Sequence, residues 1–320
     1  MNSISHRHWF SVSVVILLFV CSLNSCRQSP KILPLITNTK PIVLIINSDQ
    51  SVDKYATIQR EFESELNLKT FQIDLAEEAW NDSLLQEQLS SVHPHLVYAI
   101  GSKAYIQASR FFEEVPVIFS SLINWRRFDI TSNTYGISLE LPIEMQLLMY
   151  SYLFPEIRTL GVLYSERHNR QWFDLAMSQV EEVGLSLHGQ LVDNSDDIIS
   201  ASQTLLPKVD AIWLISDPVV LYEANQVRQI FAEAAFQKKP IFAYDTLFSQ
   251  YGALLTIAAD IPTMGRQAAG LAQDILKQQT VEEKVQFPAG SHVTLNLKKV
   301  HEYGITINHA ALSSVEKIIE

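Results

Sequence analysis

The chain has 320 residues, of which 47% are hydrophobic and 18% are charged. This composition excludes a disordered or fibrous protein, and the length is sufficient for one large α/β unit or for two lobes with separate cores. The formal net charge of -11 is spread along a sequence without clustered Lys and Arg. Because phosphate binding needs such clusters, a nucleic-acid partner is excluded.

Residues 1–25 have the pattern of an export signal. An uncharged apolar run follows Arg7, and Leu-Asn-Ser-Cys occupies positions 23–26. The run has about 13 residues, fewer than the ~20 that a bilayer-spanning helix needs, which favours a cleaved signal peptide. The Leu-Asn-Ser-Cys sequence at 23–26 resembles a bacterial lipobox. That resemblance implies that Cys26 becomes the first mature residue and carries lipid. A plain signal peptide cleaved beside an unrelated cysteine is the alternative.

The two cysteines of the chain are Cys21 and Cys26, so cleavage before Cys26 leaves no pair for a disulfide. The folded part must then depend on its core alone. Residues 26–40 show no clear periodicity, and we predict that they form a tether to the membrane. His93-Pro-His95 lacks partner ligands at metal-site spacing, so we expect neither a metal nor a cofactor.

From position 41 onward, short apolar runs alternate with longer amphipathic stretches, which is the pattern of βαβ units in a parallel sheet. A first series predicts strands at 41–46, 70–74, 96–100 and 115–120 and helices at 52–66, 84–89 and 102–112. A second series after Gly136 predicts strands at 159–164, 185–191, 211–215 and 240–244 and helices at 142–152, 174–183, 198–206 and 222–236. It continues with an apolar run at 252–257, a helix at 264–277, and a returning strand and short helix between 283 and 307.

Two consecutive series of similar length predict an α/β protein with two doubly wound parallel-sheet lobes. A single eight-fold barrel is the alternative, although its units normally continue without a restart. Ligands of doubly wound sheets bind at the carboxyl ends of the strands. Two such lobes would share a cleft and bury a ligand when they close.

Several sequence fragments, in their order and spacing, resemble the periplasmic type 1 solute-binding proteins of ABC transporters, in the branch associated with tryptophan and tyrosine uptake. The fragments are VYAIGSKA at 97–104, PVIF at 116–119, GIS at 136–138, LGVLY at 160–164, DAIWLISD at 210–217, KPIF at 239–242 and YGAL at 251–254.

This resemblance implies a three-crossing hinge between the lobes. It also implies that a monomer captures a small amino-acid-like solute, for which an aromatic amino acid is the candidate, and delivers it to an ABC permease and its ATPase. The crossings would lie near 137, near 255 and within 277–285, the first lobe would comprise 41–137 and 256–280, and the second would comprise 138–255 and 281–320.

The predicted ligand-binding residues of the first lobe follow its strands. Gly101 and Ser102 lie where a strand meets a helix, and the free N–H groups and dipole of the helix start would hold a carboxylate. Ser102 as a simple N-cap is the alternative. Polar groups after other strands would complete this side of the cleft, although loop packing is an equal alternative for Trp125. These further candidates are Asn47, Ser48, Ser120, Ser121, Asn124 and Trp125.

Four candidates lie at strand ends in the second lobe. Tyr164 and Tyr244 would clamp an apolar side chain, with core packing as the alternative. Asp217 or Asp245 would pair with a ligand ammonium, with turn initiation or helix capping as the alternative. If the first lobe holds the carboxylate and the second the ammonium, closure depends on the ligand.

Enzymatic functions are disfavoured by the absence of a P-loop, a nucleophile elbow and a His-Glu-x-x-His motif from the sequence. We therefore predict a solute-binding protein of an importer and no enzyme. A sensory module of the same fold, which signals to a membrane receptor or kinase, is the alternative.

Replacing Cys26 with Ala is expected to abolish lipid attachment, because the modified thiol is removed, and either to release the folded domain from the membrane or to block signal processing. Fatty-acid labelling and membrane fractionation measure this, with Cys21→Ala as the matched control. Membrane retention of a correctly processed Cys26→Ala protein would contradict lipidation at this residue.

Overall fold

The computed structural model of the protein describes residues 40–77 and 82–320. The predicted signal peptide, Cys26 and all of the tether except Lys40 lie outside these residues. Among the residues that are described, no helix has the length and apolar character needed to cross a membrane.

The regular elements alternate between strands and helices along most of the chain. The strands are β1 Ile42–Asn47, β2 Lys69–Asp74, β3 Leu96–Ile100, β4 Val117–Ser120, β5 Thr134–Ile137, β6 Thr159–Tyr164, β7 Ser186–Leu191, β8 Ala211–Leu214, β9 Ile241–Ala243, β10 Leu255–Ala259, β11 Val285–Gln286, β12 Ser291–Asn296 and β13 Lys317–Ile319. The helices are α1 Asp53–Leu66, α2 Asp82–Ser91, α3 Ser102–Phe111, α4 Ile143–Leu153, α5 Glu166–Val180, α6 Ile198–Leu205, α7 Ala224–Phe236, α8 Ile261–Leu276 and α9 Leu297–Tyr303.

Two sheets define two lobes. The sheet of the first lobe has the strand order β11-β5-β4-β3-β1-β2 and is parallel throughout. The sheet of the second lobe has the order β13-β12-β10-β9-β8-β6-β7, and its one antiparallel pair is β10 with β12. Helices α1, α2, α3 and α8 cover the first sheet, and the other helices cover the second. The predicted α/β architecture of two doubly wound parallel-sheet lobes is confirmed.

The central strands are continuous apolar runs because helices cover both of their faces. In β1, Val43 and Ile45 face the cluster under α1 and α8, whereas Leu44 and Ile46 face the cluster under α2 and α3. All four side chains are fully buried.

Helix α8 completes the first lobe from a distant part of the sequence. It lies so close to α1 that a Cβ atom on Gly265 would be 2.5 Å from the carbonyl oxygen of Ile58. On the exposed side of the same contact, Arg266 pairs with Glu61 at 2.6 Å. Only glycine permits this approach of the two helices.

The chain crosses between the lobes three times, but two crossings lie further along than predicted. The first crossing, at 138–142, follows β5. The second lies at Asp260, because β10 pairs with β9 and β12, so the assignment of residues 256–259 to the first lobe is wrong. The third lies at 287–290, because β11 pairs with β5 of the first lobe, so the assignment of residues 281–286 to the second lobe is also wrong. An apolar run shows that a strand forms but not which sheet it joins.

Strand β5 and helix α5 also differ from the sequence prediction. The four-residue strand β5 was not predicted, since its Thr-Tyr-Gly-Ile sequence is too short for a period to be visible. Helix α5 begins at Glu166, eight residues before the predicted start at 174. Its first turns are charged and lack apolar periodicity, although Ser165 before Glu166 is a helix-start signal.

A histidine links the second crossing to the C-terminal segment. Nε2 of His292 in β12 is 3.3 Å from Oδ1 of Asp260, and its Nδ1 is hydrogen-bonded to the carboxylate of Glu316. The hydrogen bond to Glu316 raises the pKa of His292, and the contact with Asp260 raises it further. Burial lowers the same pKa, but by less, so the pKa is raised overall. The second and third crossings are also joined directly, since the Asp260 amide donates to the Gly290 carbonyl at 2.9 Å.

The pH dependence of unfolding should report the His292 contact. Because its folded-state pKa is raised, the stabilisation is fully present below the unfolded pKa of about 6.5 and is lost as the pH rises through the folded-state value. We expect urea unfolding to show a parent more stable than His292→Gln at about pH 5.5, with a difference that shrinks toward about pH 9. His188→Gln, exposed on β7, is the control. A difference independent of pH would contradict this role of His292.

Candidate functional site

The first sheet brings the carboxyl ends of β1, β3 and β4 side by side. Asn47 pairs in register with Ile100, and Ile100 pairs with Ser120. The amide of Ser48 donates to the Ile100 carbonyl and the amide of Gly101 donates to the Ser120 carbonyl, both at 2.9 Å. Four of the predicted residues therefore lie together at one edge of the sheet.

Two side chains at this edge are engaged within the fold. The Asn47 amide donates to Oε1 of Gln59 at 2.8 Å, and the Ser120 hydroxyl is 2.7 Å from the hydroxyl of Tyr98. Both Asn47 and Ser120 are fully buried. They hold the strand ends in place.

Helix α3 is capped by the neighbouring strand. Ser48 Oγ accepts the Ala104 amide at 3.0 Å, and Ser102 is the first helical residue, preceded by Gly101 at the N-cap position. The alternative that Ser102 is the N-cap is therefore wrong. Gly101 has φ +85°, and a Cβ atom there would lie 2.6 Å from Ser48 Oγ, so this cap needs glycine. The remaining first-turn amides are the feature of α3 that could hold a carboxylate.

The loop after β4, residues 121–125, contains three buried polar atoms without a hydrogen-bond partner among the described residues. They are Ser121 Oγ, Asn124 Oδ1 and Trp125 Nε1. Ser121 and Asn124 also have left-handed backbones, with φ of +57° and +49°. Buried polar atoms are normally paired, and strained backbones cluster at functional sites. This 121–125 loop therefore has the properties of a ligand-binding loop.

Asp217 is fully buried after β8, and both of its carboxylate oxygens are occupied. Oδ2 accepts the amide of Ser165 at 2.7 Å, the hydroxyl of Ser165 at 2.8 Å and Nδ2 of Asn169 at 2.7 Å. Oδ1 accepts the amides of Val219 at 2.8 Å and Val220 at 3.1 Å. A ligand ammonium would have to displace one of these donors, so the geometry does not support the predicted direct pairing with Asp217.

A chain of hydrogen bonds runs from Asp217 into the first lobe. Because a carboxylate only accepts, Asn169 directs its NH₂ group toward Asp217 and its Oδ1 away from it. That Oδ1 accepts Nδ2 of Asn124 at 3.0 Å, and the same Nδ2 is 3.1 Å from the carbonyl of His168. The Asp217–Asn169–Asn124 chain thus joins the lobes and leaves Asn124 Oδ1 as the unpaired acceptor.

Glu140, in the first crossing, is bonded to both lobes. Its Oε2 is 2.5 Å from Nη1 of Arg126, and its Oε1 accepts the hydroxyl of Ser216 at 3.1 Å. The Glu140 side chain is only 13% exposed. Burial raises the pKa of Glu140, and the opposing effects of Arg126 and Ser216 are smaller in sum.

The remaining predicted residues of the second lobe separate in the structure. Tyr164 stacks on Phe173 at a centroid distance of 4.3 Å, which is the core-packing alternative. Tyr244 contributes to the lining of three cavities along the cleft. Burial raises the pKa of its hydroxyl. Asp245 caps the following 3₁₀ turn, and its Oδ2 is 3.9 Å from Nζ of Lys54 in the first lobe.

A cavity of about 500 Å³ lies between the lobes beside Tyr244. Its volume is within the range of small-molecule sites. Ile123 and Arg127 form its first-lobe wall, and Arg127 is the only charged residue of the lining. The cleft cavity therefore suits a solute with an apolar body and an acidic group. Its second-lobe wall consists of Pro218, Leu221, Tyr222, Ala224, Val227, Tyr244, Leu247, Phe248 and Tyr251.

Sequence reasoning missed Glu140, Asn169 and Ser216. Asn169 was overlooked because α5 was predicted to begin after it, and the Ser165 start signal would have placed it on the first turn of the helix. Glu140 lies in a short connection with no periodicity, so nothing in its surroundings distinguishes it from a solvated carboxylate.

Residues 41–319 match the family model described as ABC transporter substrate binding protein. The chain belongs to this family. Members bind solutes outside the cytoplasm for ABC systems, so this protein is a solute-binding protein and not an enzyme, as predicted. No curated protein matches the chain.

Solved structures show the same fold at low sequence identity. An ABC domain from Streptococcus pneumoniae in complex with L-Trp is 21% identical, with a TM-score of 0.63 over 87% of this chain and 100% of the other. A conserved domain protein from Vibrio cholerae is 19% identical, with a TM-score of 0.63 over 88% and 100%. A ligand-free, open substrate-binding protein with adhesive properties from Clostridium difficile is 15% identical, with a TM-score of 0.65 over 88% and 99%.

Asp217→Asn should destabilise the second lobe. The substitution turns one acceptor into a donor among five donors, and leaving a buried partner unpaired or losing a bond to a charged group costs about 1.5–3 kcal/mol. Urea unfolding measures this, with Asp210→Asn as the control, since Asp210 accepts two backbone amides at a more exposed position. Equal, small losses for the two variants would contradict a structural role for Asp217.

Proposed function

We propose that the chain is an exported, lipid-anchored binding protein that captures a small amino-acid-like solute, with an aromatic amino acid as the candidate. The observation that carries this proposal is the 121–125 loop, because its buried polar atoms have no hydrogen-bond partner among the described residues and a ligand could supply one. Asn124 Oδ1 needs a donor, Trp125 Nε1–H needs an acceptor, and Ser121 Oγ accepts either role. An α-amino acid carries both kinds of group on adjacent atoms.

The cleft cavity supports an apolar or aromatic body for the solute. Its second-lobe wall is apolar and aromatic, and Arg127 offers a charged partner for a carboxylate. The Streptococcus pneumoniae neighbour is in complex with L-Trp, which supports the aromatic candidate on the ground of a shared fold.

Membership of the family supports delivery of the solute to an ABC permease and its ATPase. The export signal and Cys26 support attachment of the binding protein to the membrane beside that permease.

Ligand identity and closure can be tested together. Mass spectrometry of solute retained by the purified protein, followed by thermal-shift screening of the twenty L-amino acids and common sugars, should show amino acids, aromatic ones above all. Small-angle scattering should show a smaller radius of gyration with the bound amino acid, since ligand contacts are completed when the lobes meet. A retained sugar, or an unchanged scattering profile at saturation, would contradict the proposal.

A further inference from the structure

A second, much smaller cavity lies beside Glu140 in the second lobe. Its volume of about 20 Å³ admits one group of the size of a water molecule, which needs roughly 10–15 Å³. The cavity is thus too small for the body of any solute and large enough for one polar group. Its lining consists of Glu140, Gln146, Asn169, Trp172, Trp213, Ile215, Ser216 and Tyr244.

Three of the polar side chains around this cavity already use their donors within the protein. The Ser216 hydroxyl donates to Glu140 at 3.1 Å, and the NH₂ group of Asn169 donates to Asp217 at 2.7 Å. The NH₂ group of Gln146 donates to a backbone carbonyl at 3.0 Å. The lining then presents the Ser216 oxygen and the Glu140 carboxylate as acceptors, together with the Tyr244 hydroxyl, which can donate or accept. Because Glu140 is the only charged group of this lining, the surface favours a positively charged group that donates hydrogen bonds.

The apolar part of the lining also favours a cation. Trp172 and Trp213 meet edge to face at a centroid distance of 4.8 Å, and Tyr244 is the third aromatic residue of the lining. Aromatic faces attract cations, and the attraction is strongest in a desolvated site. A carboxylate, hydroxyl oxygens and three aromatic residues in one water-sized space form a receptor for an ammonium group.

We propose that this cavity binds the primary ammonium group of the solute and that Glu140 is its acidic partner. The inference rests on the proposed function and extends it, because it assigns to Glu140 the role that the sequence indicated for Asp217. Nη1 of Arg126 lies 2.5 Å from Oε2 of Glu140 and stabilises the ionised carboxylate. Asp217 acts as a positioning residue, since it fixes the orientation of the Asn169 amide.

The unmodified protein gives the first test. Each L-amino acid that binds, beginning with L-tryptophan, is compared by calorimetry with the carboxylic acid that lacks the amine and with its N,N,N-trimethyl derivative. For L-tryptophan the first of these is 3-(indol-3-yl)propanoate. Loss of the amine should weaken binding about ten- to hundredfold, because the charge-assisted hydrogen bonds of the ammonium group are lost. The trimethylated compound should lose at least as much, because it keeps the charge but exceeds the cavity.

Glu140→Gln gives the second test. The variant should bind L-tryptophan about ten- to hundredfold more weakly and 3-(indol-3-yl)propanoate with the affinity of the parent. Glu283→Gln, which neutralises an exposed carboxylate, should change neither affinity. Unfolding midpoints of both variants separate loss of the site from loss of the fold.

The outcomes distinguish this inference from the proposed function. If amino acids bind and removal of the amine changes nothing, the ammonium site is wrong and the amino-acid function stands. If Glu140→Gln weakens both compounds equally while the fold is intact, Glu140 does not contact the amine, and the assignment is overturned. If no amine-bearing solute binds and another solute is retained, both the ammonium site and the amino-acid function are wrong.

Discussion

The second lobe's side of the cleft depends on the need to satisfy one buried carboxylate. An uncompensated buried charge costs several kcal/mol, so Asp217 requires donors from all sides. Ser165 supplies two of them at the start of α5, and the amides of Val219 and Val220 supply two more after β8. The ends of β6 and β8 and the beginning of α5 are therefore held in one arrangement.

The orientation of hydrogen bonds extends from this carboxylate to the opposite lobe. Asp217 determines which end of the Asn169 amide it faces, and Asn169 in turn determines the orientation of Asn124. The two sides of the cleft consequently differ in character. The second lobe offers acceptor oxygens around Glu140, whereas the 121–125 loop offers a donor and acceptors that no other described residue uses. The neighbouring ammonium and carboxylate groups of an α-amino acid fit this difference.

The sequence was sufficient to predict much of the fold, and part of the site. Buried parallel strands such as β1 and β3 are visible as apolar runs, and the rule that parallel strands end at one edge correctly brought Asn47, Gly101 and Ser120 together. Which polar groups remain available at that edge depends on partners far away in sequence. The Ser120 hydroxyl is hydrogen-bonded to Tyr98, whereas the hydroxyl of its neighbour Ser121 has no partner in the part of the chain that the structure describes.

The role of Asp217 could not be predicted for a similar reason. An aspartate before a proline at a strand end has the same local sequence whether it faces solvent, a ligand or five donors of its own chain. The number of donors depends on α5 and on the loop after β8 meeting at one point. The spacing of these residues along the sequence does not show that the two segments meet.

The packing of α8 on α1 determines when the first lobe can be completed as the chain is made. The two helices are separated by about 200 residues, and β11 joins the same sheet even later. The core around α1 therefore remains open until nearly the whole chain is available, and loop closure over such distances makes folding slow. The second lobe also needs its last strands from the end of the chain. Neither lobe can therefore be completed before most of the chain has been made.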